Sequence, residues 1–115
     1  MAATFKTNPL TVSNGSTQSS SYVNLTKGLL GSITCPANIG SATTLTFQHS
    51  KASDGTFTTI TDPADGSSDY TVTLTASKTI PINTNLFVGV GYLKVSVNLD
   101  PGTDITFDLN WKDAE

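Results

Sequence analysis

The stretch LTFQHSKASDGTFTTI, residues 45–60, gathers His49, the only histidine of the chain, with Ser50, Lys51, Ser53 and Asp54. These are the residue types of a hydrolytic relay: an imidazole base, a hydroxyl nucleophile, and a carboxylate to orient the imidazole. Their spacing argues for a different role. Leu45, Phe47 and His49 alternate with Thr44, Thr46 and Gln48, the period of a half-buried strand, so His49 and Ser50 point to opposite faces and cannot readily share a proton. Asp54-Gly55 is a turn signal, and Thr56 to Ile60 resume a strand composition. The stretch therefore predicts two strands joined over Lys51 to Gly55, with His49 a structural residue.

The remaining groups that could do chemistry are dispersed. Asp62, Asp65 and Asp69 share the turn DPADGSSD and offer the oxygen ligands that calcium takes, but the spacing lacks the EF-hand pattern and its closing glutamate, so a plain turn is expected. Asp104 and Asp108 fall on one face of a strand about 13 Å apart, too far for a paired acid and base. GVGYLK has glycines but no following helix to present N–H groups to a phosphate. Cys35 is the single cysteine. It excludes an internal disulfide, and with no basic neighbour in sequence it reads as a small buried hydrophobe. No catalytic, cofactor-binding or metal-ligating residue is expected, and no cofactor.

Composition narrows the partners. Of 115 residues only 13% are charged, none is arginine, and the net charge is −3. Nothing here neutralises or clamps phosphates, which argues against nucleic acid and against anionic membranes. The N-terminal stretch MAATFKTNPLTVSNG lacks the apolar segment of a signal peptide, and no run is apolar enough to span a membrane, so synthesis in a reducing cytoplasm is expected.

Positioning such residues falls to strands. Tyr22–Thr26, Gly28–Cys35, residues 43–50 and 56–61, and Thr79–Asn83 read as strands. Tyr70, Val72, Leu74 and Ala76 alternate with Thr71, Thr73 and Thr75 in what reads as the clearest strand. Leu93 to Leu99 and Ile105 to Trp111 alternate on either side of Asp100-Pro101-Gly102 and predict a terminal hairpin. No helical period persists. Eight or so short strands with regular turns predict one all-β domain: an antiparallel β-sandwich, jelly-roll-like or alternatively immunoglobulin-like, over residues 22–115. Residues 1–21 read as an extended N-terminal arm, or a first strand with a polar loop. There the low-complexity run SNGSTQSSS follows the apolar Phe5, Leu10 and Val12.

Phe47, Gln48, Ser50, Asp54, Gly55 and Phe57, followed by Phe87, Gly89, Tyr92, Leu93 and Lys94, resemble a recurrent pattern in small virion proteins of tailed bacteriophages. In it a Phe-Gln-x-Ser strand leads to an Asp-Gly turn and an aromatic, and a Phe-x-Gly-x-x-Tyr-apolar-basic strand follows. The likeness covers residues 45–95, about the central half of the chain. It departs where Lys51 and Ala52 lengthen the turn and where Lys94 stands for the more usual arginine. It implies a structural β-module, not an enzyme: a capsid decoration (cement) protein on the exterior of the virion. Its expected partners are the major capsid protein and copies of itself, a trimer being the expected homo-oligomer. A tail or head-fibre component is the alternative within that class, and a carbohydrate-binding module, which needs exposed aromatics on one sheet, the alternative outside it. Phe5, Leu10 and Val12 are the expected partner-binding residues, on an arm whose deletion would leave the sandwich folded.

Overall fold

The structure is a computed structural model that describes residues 5–87 and 90–113. The described residues form nine strands: β1 (Phe5–Val12), β2 (Val23–Asn24), β3 (Gly28–Thr34), β4 (Thr44–Ser50), β5 (Thr58–Thr59), β6 (Thr71–Thr73), β7 (Thr79–Pro81), β8 (Tyr92–Val97) and β9 (Ile105–Asp113), with one 3-10 turn at Thr84–Phe87. Two antiparallel sheets pack face to face as a sandwich. One has the order β1-β9-β3-β7, the other β2-β8-β4-β5, with β6 pairing farther along the same side of β4. The partnerships are nested: first strand with last, second with eighth, third with seventh, fourth with fifth and sixth.

Period-two alternation produces this arrangement directly. Along β9, Ile105, Phe107 and Leu109 are buried while Thr106 is exposed, and along β8 Leu93, Val95 and Val97 are buried beneath half-exposed Tyr92, Lys94 and Ser96. In the interior Phe47 meets Phe87 edge to face at 5.0 Å and stacks on Tyr70 at 6.2 Å, both favoured ring geometries. The outer face of the first sheet is laced by hydroxyls and amides. Thr11 bonds Thr106 at 2.8 Å, Thr34 bonds Thr79 at 2.9 Å, and Asn110 donates to Ser32 and Thr34. Such cross-strand pairs replace the ion pairs this chain has too few charges to make.

Residues 5–12 pair with β9 along their full length, from Phe5 opposite Lys112 to Val12 opposite Ile105. The side chain of Phe5 lies outside the described residues, but Leu10 and Val12 are 1% and 0% exposed, in this molecule's own core. The segment expected to reach for a partner is thus an edge strand, and Leu10 and Val12 are occupied while the sheet is intact. Its apolar alternation is interrupted because Lys6 and Asn8 occupy the inward register beyond the core's end. Pro9 fits mid-strand because β1 is an edge, where the N–H it lacks has no partner to serve, and it discourages a further strand from adding there. The polar run that follows is also fixed. Val97 N–H donates to Thr17 O at 2.7 Å and Ser19 N–H to Val95 O at 2.8 Å, so residues 17–19 border β8. Backbone bonds of this kind need no apolar side chains, which is why composition alone gave no sign of them.

Two other expectations change. β8 and β9 are not a hairpin: they belong to different sheets, and residues 98–104 cross between them. Asn98 fixes the departure point, its Oδ1 accepting the N–H groups of Thr43 and Thr44 at 2.9 and 3.1 Å. The alternating segment from Tyr70 pairs with β4 over only Thr71–Thr73, because the chain must then turn to reach the other sheet as β7. That turn places Ser77 at φ 62°, its N–H on Pro36 O. A left-handed serine is unfavourable relative to glycine, so Ser77→Gly is expected to raise stability by up to about 1 kcal/mol in urea unfolding, whereas Ser77→Val lowers it.

Candidate functional site

The strand geometry separates the groups of the opening stretch. His49 shares the inward register of Leu45 and Phe47, opposite Leu93 and Thr58, and its buried Nδ1 has no hydrogen-bond partner. Ser50 points the other way, 6% exposed, and its Oγ accepts the Ala52 N–H at 3.2 Å. Asp54 is exposed on the 51–57 loop. A base whose inner nitrogen lacks an orienting acceptor, facing away from the nearest hydroxyl, is not a relay. The orphaned nitrogen instead costs stability, so His49→Leu is expected to leave stability unchanged or raise it by about 1 kcal/mol by calorimetry. A loss above about 2 kcal/mol would show that the imidazole has a role.

The other candidates also stay apart. Asp62 Oδ1 accepts the Ala64 N–H, and Asp65 Oδ1 those of Ser67 and Ser68, each at 2.9 Å, so these carboxylates brace their own loop. The Ser68 hydroxyl and these N–H groups hold the Asp65 carboxyl at a pKa of about 2. Among the described residues no group of three or more His, Cys, Asp or Glu side chains is placed to hold a metal ion. Asp104 accepts the Asn14 N–H and Asp100 those of Gly15 and Gly102, which tie the 13–16 turn to the 98–104 crossing. Cys35 is 3% exposed and burial pushes its thiol pKa up, as in an inert core cysteine.

The neighbours of these groups on β4 and β8 divide between the two faces of the second sheet. Phe47 touches Phe87, Gln48 faces Lys94 across the β4–β8 ladder, and Ser50 faces Tyr92. Gly55 packs on Ser50 Oγ so closely that a Cβ would collide with it, and Lys94 Nζ lies 4.6 Å from the centre of the Phe57 ring. The Gln48 amide, 6% exposed, donates to Thr46 and accepts from Ser96 at 2.8 Å. Gln48, Ser50, Gly55, Phe57 and Lys94 gather on the outer face of β4, which the 51–57 loop covers, whereas Phe47 and Phe87 meet on its inner face; Gly89 lies outside the described residues. Beside it Tyr92 meets Tyr22 edge to face at 5.1 Å, and Tyr22 is 42% exposed. Tyr70 and Trp111, by contrast, pack against the core.

A second assembly, absent from any local motif, surrounds Trp111 at the end of β9. Trp111 Nε1 donates to Asn8 Oδ1 at 2.7 Å, Lys6 Nζ stands 4.8 Å from the ring centre, and Lys6 pairs with Asp113 at 3.3 Å. Two clefts of about 500 Å³ each flank the indole. One is bordered by Lys6, Leu29, Ser32, Thr84 and Lys112, the other by Lys6, Asn24, Thr26, Lys27 and Asp113. Gly28 underlies the ring, and a Cβ there would overlap it. Gly28→Ala is therefore expected to displace the only tryptophan, shifting its fluorescence to longer wavelength as the indole meets water. An unchanged spectrum would mean that the ring does not rest on Gly28.

No protein-family model and no curated protein matches this chain.

Proposed function

We propose that this protein is a structural module of a tailed-bacteriophage virion, a decoration protein that binds the capsid exterior and stabilises it. The observation that carries the reading is the nested strand order, β1-β9-β3-β7 over β2-β8-β4-β5. With β5 and β6 counted as one position beside β4, this order supports reading the sandwich as a jelly roll, a long hairpin rolled into two sheets, an architecture that recurs in viral capsid domains. Fold alone does not give function. The reading is supported further by outer faces laced by Thr, Ser and Asn and by the 51–57 loop packed over β4 through the Gly55–Ser50 and Lys94–Phe57 contacts.

The test is made on particles. Purified virions should contain the protein in fixed ratio to the major capsid protein, imaging should locate it on the outer surface, and added protein should raise the temperature at which bare particles release their genome. Its absence from virions, or its restriction to tail or fibre, would overturn the decoration reading. The Tyr22–Tyr92 pair on the outside of the second sheet favours one other reading, saccharide binding, since jelly rolls also serve as lectins. Loss of binding to a glycan panel on Tyr22→Ala would select it.

A further inference from the structure

The charges of this chain are distributed unevenly over the sandwich. Three of its six lysines, Lys6, Lys27 and Lys112, border the two Trp111 clefts against one aspartate, Asp113. Asp62, Asp65 and Asp69 lie on the hairpin between β5 and β6, closed by the Thr61–Asp69 bridge and by Asp62 N–H on Ser68 O at 2.7 Å. The clefts belong to the β1 end of the first sheet and the β2–β3 connection, whereas the hairpin leaves the opposite edge, beyond β4. One molecule cannot bring the two together, but two molecules can.

We propose that copies of this chain associate head to tail, the acidic 61–69 hairpin of one entering the lysine-bordered clefts beside Trp111 of the next. The hairpin is shaped for this. Its tip is Pro63-Ala64-Asp65-Gly66, all exposed, with an apolar Pro-Ala pair to enter the clefts and carboxylates to face Lys27 and Lys112. Its backbone is already fixed by internal bonds, including those to Asp62 and Asp65, so little ordering is needed on docking. Because the two surfaces differ, the contact is heterologous: it closes into a ring where the rotation permits and otherwise continues as a filament. Opposite charges meeting across it make association sensitive to salt. This inference does not depend on what the assembly is attached to.

Sedimentation of the full chain at low and high salt tests it, with exposed positions exchanged. Lys27→Glu with Lys112→Glu, and separately Asp65→Lys with Asp69→Lys, should each weaken self-association at least tenfold. The protein carrying all four changes should recover it to within a few-fold, because the swapped charges again match. Where a reversal perturbs folding by circular dichroism, Lys27→Gln with Lys112→Gln and Asp69→Asn give the same comparison with smaller changes. A wild-type chain that stays monomeric at every concentration overturns the proposal. So does an oligomer indifferent to both sets of variants, or one that the fourfold exchange fails to restore.

Discussion

A chain lacking residues 2–12 is expected to lose the sandwich altogether. The deletion removes β1, the whole partner of β9 on one side, and with it Leu10 and Val12, two fully buried side chains. Truncating one buried leucine typically costs about 2–5 kcal/mol, and here a valine and the ladder from Phe5 to Val12 go with it. Domains of this size have a total stability of about 5–15 kcal/mol, so the loss is comparable to the whole. The vacated edge would leave unpaired backbone groups along β9 above an opened core, a surface prone to aggregation. Far-ultraviolet dichroism and the dispersion of amide resonances, compared with the full chain, provide the measurement. A synthetic peptide of residues 2–12 added in trans should restore part of the signal. A truncated chain that melts cooperatively at the full-length temperature would show that β1 is an accessory arm after all.

Local period-two patterns revealed the strands that carry the core, but not which strands become neighbours. Ile105 to Leu109 reads unmistakably as a strand, and its inward residues are those the alternation selects. Nothing in its sequence says that it lies between β1 and β3, the first of them about a hundred residues away. The same limit hid the Trp111 assembly. Asn8, which accepts the indole N–H, and Lys6, which covers the ring, are more than a hundred positions upstream and become visible only once the first strand is known to pair with the last. Where a fold is built from non-local pairs, proximity in sequence is a poor guide to chemistry. His49 and Ser50 are adjacent and face opposite ways, whereas Gln48 and Ser96 share a hydrogen bond. The polar residues 13–21 illustrate another gap. Patterning reports burial of apolar side chains, and Ser19, 2% exposed, is held instead by its backbone and by its hydroxyl to Ser21 O.

Phe47→Ala should be among the most damaging single substitutions in the molecule, costing about 3–5 kcal/mol. Phe47 lies on β4, which pairs with β8 on one side and with β5 and β6 on the other, and its ring is 0% exposed. It touches Phe87 at 5.0 Å and Tyr70 at 6.2 Å, so its removal leaves two aromatics without a partner and a cavity that sheets hydrogen-bonded on both sides cannot easily close. The internal control is Leu99→Ala, on a side chain 53% exposed in the crossing between sheets, expected to change stability by no more than about 0.5 kcal/mol. Urea unfolding distinguishes them: the midpoint should fall steeply for Phe47→Ala with little change in slope, because the same surface is exposed on unfolding. Equal midpoints for the two variants would mean that β4 does not contribute the centre of the core. The inward register assigned to Leu45, Phe47 and His49, and with it the structural role of the histidine, would then have to be reversed.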